Sequence, residues 1–193
     1  MTETMTTFFA MLGLACWAGV IVVGVAVLLG RAAPAVGVAS FVDGVRGVAL
    51  WLAWLVSIVT TLGSLYYSEV AHYVPCELCW YQRICIYPFS VVLLIAAIRR
   101  DVSVWRYVLP VSVIGMGIAA YHTQLQAFPE QRSFCSVLNP CTIRYVWEFG
   151  FVSLPFMALA ALTFVALMML LVRPRTVPSA DATSTPTLPE GNS

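Results

Sequence analysis

"FMALAALTFVALMMLLV", Phe156–Val172, contains no charged residue and shows no polar face. A helix in a soluble bundle needs one side that water can wet. About 20 mostly apolar residues cross a bilayer as a helix, and this stretch reaches that length when followed back to Val152. Four more windows read the same way: Phe8–Gly30, Val45–Tyr67, Tyr81–Ile98 and Trp105–Leu125. The third is short, and a tight turn, "RRDVSV" (Arg99–Val104), joins it to the fourth.

Composition agrees with a bilayer. Of 193 residues, 61% are apolar and 10% charged, against roughly a quarter charged in an ordinary soluble domain. The formal net charge is +1, so no basic surface points to nucleic acid, and the expected surroundings are membrane lipid. The expected fold is an all-α integral membrane protein, a four-helix transmembrane bundle core plus an extra N-terminal transmembrane helix. Residues 1–44 would form the extra helix and its connection, 45–173 the core, and 174–193 a disordered tail. The tail, "PRTVPSADATSTPTLPEGNS", is rich in Pro, Ser and Thr and has little to bury. The N-terminal stretch lacks a positive n-region and its apolar run is too long for a signal peptide, so it reads as a retained span.

All ten basic residues are arginine. Positive loops stay in the cytoplasm. Arg31, Arg46, Arg99, Arg100, Arg106, Arg173 and Arg175 fall at one end of five alternating spans, and Arg83, Arg132 and Arg144 at the other. The first end is expected to be cytoplasmic, with the C-terminus, in a multi-pass plasma-membrane protein. Cys76, Cys79, Cys135 and Cys141 then lie in extracytoplasmic loops, where disulfides persist. Cys16 and Cys85 fall inside spans and read as small packing residues.

"PCELCWYQR", Pro75–Arg83, sets two cysteines at the mouth of the third span. A bridge between them would close a very short loop and remove little chain entropy, which argues against an inert staple. Thiolates are stabilised at helix N-termini and beside cations. A helix starting near Cys79 or Trp80 would put Arg83 one turn from Cys79. Zinc is the other reading, but "CSVLNPC" (Cys135–Cys141) has five intervening residues and His72 is the one histidine in either outer loop. The long polar segment Gln126–Phe151 is expected to move and to meet a soluble protein. Two outer dithiols, one mobile and one at the bilayer edge, suggest a relay toward a lipid-soluble acceptor such as a quinone. Trp80 and Tyr81 could line an aromatic slot for its ring, though interfacial belt residues look the same. Quinone reduction takes up two protons, and His122 or Glu69 could supply them. His72 and Gln126 lie near the same outer ends, and contact with water explains any of these polar residues equally well. "TTLGS" (Thr60–Ser64) and "GMGIAA" (Gly115–Ala120) read as close helix packing.

"PCELCWYQR" before an apolar helix, with an outer cysteine pair ahead of "FGFVSLPFMALAA" (Phe149–Ala161), resembles the disulfide bond formation protein B (DsbB) family. The match looks closest to its short-loop, BdbC-type branch and covers roughly Val45–Val172. The resemblance implies a membrane thiol:quinone oxidoreductase that re-oxidises an extracytoplasmic thioredoxin-fold (DsbA-like) thiol oxidase and reduces ubiquinone or menaquinone. It implies that Cys76 and Cys79 are the quinone-proximal pair, with Cys79 engaging the quinone and Arg83 as its positive partner. It implies that Cys135 and Cys141 oxidise the partner, with Cys135 forming the mixed disulfide. Two features depart from the family: the second pair is close-spaced, and the first span is extra. The vitamin K epoxide reductase family also pairs a CxxC with a quinone, but "CWYQR" favours the first resemblance. A non-enzymatic membrane protein with structural disulfides or a metal site is the alternative of another class.

Overall fold

The computed structural model describes residues 2–32, 36–131, 135–136 and 139–174. The expected tail from Arg175 onward, and Arg132, lie outside them. Among the described residues there are five long helices: α1 (Thr2–Ala32), α2 (Val36–Leu65), α3 (Glu77–Arg99), α4 (Trp105–Ala127) and α5 (Leu154–Val172). Each is long and apolar enough to cross a membrane. The one extended pairing among the described residues is an isolated bridge between Glu148 and Val152.

Two helices start earlier than hydropathy suggests. α2 begins at Val36 rather than Val45 and runs unbroken across the expected boundary at residue 44/45. Asp43 and Arg46 sit three apart on it and pair at 3.6 Å, so polar residues ride on the helix instead of ending it. α3 begins at Glu77, so Cys76 is its N-cap residue and Cys79 lies within its first turn. Its other end is set by Arg100 in the left-handed conformation, whose N–H reaches the carbonyls of Ala96 and Ala97. Asp101 Oδ1 then accepts from Ser103 N at 2.9 Å and turns the chain into α4.

The apolar core lies between α2, α3, α4 and α5, around Leu93, Val108, Leu162, Val165, Met168 and Met169. Cys85 belongs to it. α1 packs on α5 and α2, and its outer face exposes Phe8, Met11, Ile21 and Val25. At the arginine-rich end, Arg46 Nε donates to Leu171 O at 2.7 Å, and the Arg173 guanidinium lies 4.9 Å from the Trp105 ring centre. The starts of α2 and α4 and the end of α5 are thereby tied together. The cysteine pairs lie at the opposite end.

α2 closes with a π turn, Tyr66–Val70. His72 follows with φ 56°, and the chain runs extended into Pro75 and Cys76. The connection from α4 to α5 folds back over this region. Asn139 Nδ2 donates to Pro75 O at 2.9 Å, Gln126 Nε2 to Ile143 O at 2.8 Å, and Arg144 Nε to Gln126 O at 2.6 Å. The described part of the loop is therefore docked on the bundle, in contrast to the mobile segment its polarity suggests. Side chains of the loop and of α4 donate to backbone carbonyls across this contact.

Candidate functional site

Pro75 disfavours a helical conformation for the residue before it, so α3 starts with Cys76 at its N-cap. That position places the Cys76 sulfur at the positive end of the helix dipole. Cys79, one turn on, brings its Sγ to 3.0 Å from Cys76 Sγ. Cys135 and Cys141 form a disulfide. Cys76, Leu78, Leu125 and Cys141 make one buried cluster, and Cys79 and Cys135 pack against it. All four cysteines thus meet at one end of the bundle, Cys141 fully buried and Cys135 half-buried.

His122 joins the two pairs. Only 1% of it is exposed, so it is not a water-facing interface residue. Its Nε2 lies 3.1 Å from Cys141 O and 3.7 Å from Cys76 Sγ. Gln82 Nε2 lies 3.0 Å from Nδ1. A carbonyl only accepts and an amide NH2 only donates. Nε2 therefore carries the proton and Nδ1 accepts from Gln82. The Cys76 thiol is pulled down to about 4, first by the hydrogen bond from Cys79; burial opposes this, and a hydrogen bond from His122 reinforces it. A void of about 20 Å³ touches Cys76, Cys79, His122 and Gln126, and Gln126 Oε1 is buried with no hydrogen-bond partner. The void has room for about one water molecule.

On its other side Cys79 faces a cavity of about 420 Å³. Cys79, Gln82, Arg83 and Ile86 share one face of α3 and line this cavity. Trp80 and Tyr81 point elsewhere, at 54% and 47% exposure, because each step along the helix turns the side chain by about 100°. Neither of the two residues expected to form an aromatic slot lines this cavity. The aromatic wall is instead Tyr67, Tyr73 and Tyr145, stacked at 5.7 and 4.7 Å between ring centres. Trp80 lies under Arg83, whose guanidinium is 5.3 Å from the Trp80 ring and 5.8 Å from the Tyr87 ring. Arg83 also donates to Ser64, from Nε to Oγ at 3.0 Å and from Nη2 to the carbonyl at 2.9 Å.

Residues 46–172 match the family profile "Disulfide bond formation protein DsbB". The chain belongs to the DsbB family. It is 41% identical over 130 residues to Disulfide bond formation protein C of Bacillus subtilis (strain 168), covering 66% of this chain and 94% of the relative. It is 42% identical over 132 residues to a probable disulfide formation protein of Metapseudomonas resinovorans, covering 67% and 92%. It is 45% identical over 121 residues to Probable disulfide formation protein C 1 of Bacillus cereus (strain ATCC 10987 / NRS 248), covering 61% and 86%. No solved structure matches. The chain is thus a multi-pass membrane member of a family of disulfide formation proteins, thiol–disulfide oxidoreductases, and α1 lies outside the matched residues.

Within this DsbB-family site, Cys76, Cys79, Cys135 and Cys141 come together, Cys79 and Arg83 line one cavity, and His122 sits behind the dithiol instead of in that cavity. Glu69 and His72 are exposed and line neither cavity. Ser64 and Gln82, which orient Arg83 and His122, escaped the sequence reading. Ser64 hid in a small-residue run, and Gln82 beside the more conspicuous Arg83. Cys76, Cys79 and His122 place one ligand atom each within 4.8 Å of one another, close enough to hold a metal ion.

Proposed function

We propose that this protein is a membrane thiol:quinone oxidoreductase that re-oxidises an extracytoplasmic thioredoxin-fold thiol oxidase. One observation carries the reading: a single buried cluster unites both cysteine pairs, and Cys79 opens from it into an apolar cavity bounded by Arg83. The cavity falls within the range of about 300–1,000 Å³ usual for small-molecule sites. Its apolar lining, stacked tyrosines and cationic donor fit a flat, lipid-soluble ring with polar carbonyls. When bound, a quinone accepts two electrons and two protons.

The chain's own residues then divide the work. The partner's thiolate attacks Cys135 Sγ, the more exposed sulfur of the disulfide, and Cys141 leaves as thiolate. The partner's second thiol closes its own disulfide and releases Cys135. The Cys135–Cys141 dithiol next reduces a Cys76–Cys79 disulfide by the same exchange and becomes a disulfide again. His122 N–H stabilises the Cys76 thiolate so formed. Cys79 faces the acceptor cavity, and Cys76, the standing thiolate, closes the disulfide on it as the pair gives up two electrons and the Cys79 proton, the second proton coming from solvent. Arg83, braced by Ser64, holds positive charge where negative charge would develop.

The test is anaerobic mixing of the full-length protein with a reduced thioredoxin-fold oxidase and a quinone, following quinone absorbance. Stoichiometric loss of oxidised quinone that requires both proteins is expected; no loss would reject the reading. The arginine-rich end is assigned to the cytoplasm. A reporter active only outside should work when fused near Ala127 and fail after Arg173, and the reverse pattern would place the cysteines in a reducing compartment.

A second reading rests on the Cys76–Cys79–His122 cluster, which a soft divalent cation could occupy as a structural centre. Stoichiometric zinc in dialysed, reduced protein would favour that reading over redox chemistry.

A further inference from the structure

The acceptor cavity has a wall that the family does not supply. α2, α3 and α5 line it, and α1 adds Phe9, Leu12, Gly13, Ala15 and Cys16 to its lining. α1 lies outside the residues that match the DsbB profile. Its seat is nevertheless built with interlocking contacts. A Cβ at Gly13 would meet Met157 Cγ of α5 at 2.9 Å, so α1 approaches α5 closely only because that side chain is missing. A Cβ at Gly63 of α2 would meet the Phe9 ring at 3.0 Å. The Trp17 ring sits 5.9 Å from that of Phe156 on α5. The Phe9 ring lies 5.8 Å from Tyr67, which heads the tyrosine stack on the cavity wall.

The outer face of α1 is exposed and apolar, with Ile21 at 60%. In this position α1 turns one face outward and the other to the cavity that Cys79 and Arg83 also line. A molecule that fills this cavity touches α1's inner face as well as Cys79. We propose that α1 is the specificity wall of the acceptor cavity. Phe9, Leu12 and Cys16 contact the substituents and the first tail units of a lipid-soluble quinone, and so set which quinone reaches Cys79. This rests on the thiol:quinone reading above and adds to it the surface that selects the acceptor.

The experiment uses the full chain in lipid nanodiscs, with a decyl-tailed benzoquinone and the tailless naphthoquinone menadione as acceptors. Thiol exchange between a reduced thioredoxin-fold protein and Cys135–Cys141 is measured on each variant as the control for folding. Cys16→Trp and Leu12→Trp should each raise KM for the decyl quinone by about tenfold or more, the scale on which pocket misfit discriminates. Menadione should be affected less, and thiol exchange should hold. Ile21→Trp, on the lipid face, should match wild type in every assay. Cys16→Ala should relax the ratio of kcat/KM between the two quinones, which keeps the test intact if the tryptophan variants fail the folding control. KM values within about twofold of wild type in the folded tryptophan variants, or an equal rise in Ile21→Trp, would overturn the proposal and leave the thiol:quinone reading standing. A wild-type protein that exchanges thiols but reduces neither quinone would overturn both.

Discussion

The two cysteine pairs share one buried cluster but are held there by different means. Cys76 and Cys79 belong to the first turn of α3, so their positions follow from helix geometry and cannot change unless that turn unwinds. Cys135 and Cys141 belong to a loop held down by side-chain hydrogen bonds, from His122 to the Cys141 carbonyl, Asn139 to Pro75 and Gln126 to Ile143. Each such bond contributes about 1 kcal/mol net. The helix pair is rigid and faces an apolar cavity, while the loop pair is fastened by a few separable contacts. A relay needs both: one pair that yields to a protein partner, and one held in fixed geometry for a small acceptor.

The most severe break in this comparison is Cys141→Ser. Without the buried Cys141 sulfur there is no disulfide for the reduced partner to attack, so turnover should be abolished; Cys135, now a free thiol, should form a mixed disulfide, visible on a non-reducing gel, when the partner is supplied in its oxidised form, while chemically reduced Cys76–Cys79 still reacts with quinone. Full turnover with no adduct would mean that the loop pair is not on the route.

Arg83→Ala comes next. Loss of a preorganised donor typically costs about 10²–10³ in rate, so quinone reduction should fall by that order while exchange at Cys135–Cys141 stays near normal. Arg83→Lys should recover part of the loss, because a lysine cannot reproduce the planar fork that reaches Ser64. Steady-state quinone reduction beside single-turnover thiol exchange separates the two halves. Wild-type quinone reduction in folded Arg83→Ala would make the arginine a plain anchor.

The smallest expected effect lies at the hinge of the comparison, His122. Because the Cys76 thiol is lowered to about 4, its thiolate persists on the acid side of neutrality and is lost only as pH falls through that value. Ultraviolet thiolate absorbance of the reduced protein should therefore stay flat from about pH 8 to pH 5 and then fall. His122→Ala removes one of the stabilising contacts and should move that midpoint upward, with the Cys79 hydrogen bond still keeping it below the ordinary thiol range. An unmoved midpoint would show that Cys79 and the helix alone set the acidity.

Much of this architecture was legible in the sequence, and what was not has physical causes. The five spans could be read because hydrocarbon content is additive along the chain. Their ends could not, since Asp43, Arg46 and Glu77 ride on helices that hydropathy stops short of. The local motif of Cys76, Cys79 and Arg83 was visible because one helical turn contains it. The contact between His122 and Cys76 joins residues 46 apart, and no local pattern announces it. The aromatic wall was sought at Trp80 and Tyr81 because they stand next to the cysteine. Helical rotation sends them outward and leaves the place to tyrosines contributed by the π turn and the two loops.

Gly63 belongs to the matched core, yet the space above it is taken by a ring from outside that core. In a four-helix relative lacking α1, that spot on α2 would lose the ring that now meets it, while still facing the acceptor cavity. With Phe9 seated, even a methyl group there meets the ring at 3.0 Å. The gain of an N-terminal helix by such a lineage would therefore leave a one-letter scar deep inside the older segment. That scar could be searched for in chains whose beginnings have been misassigned or lost.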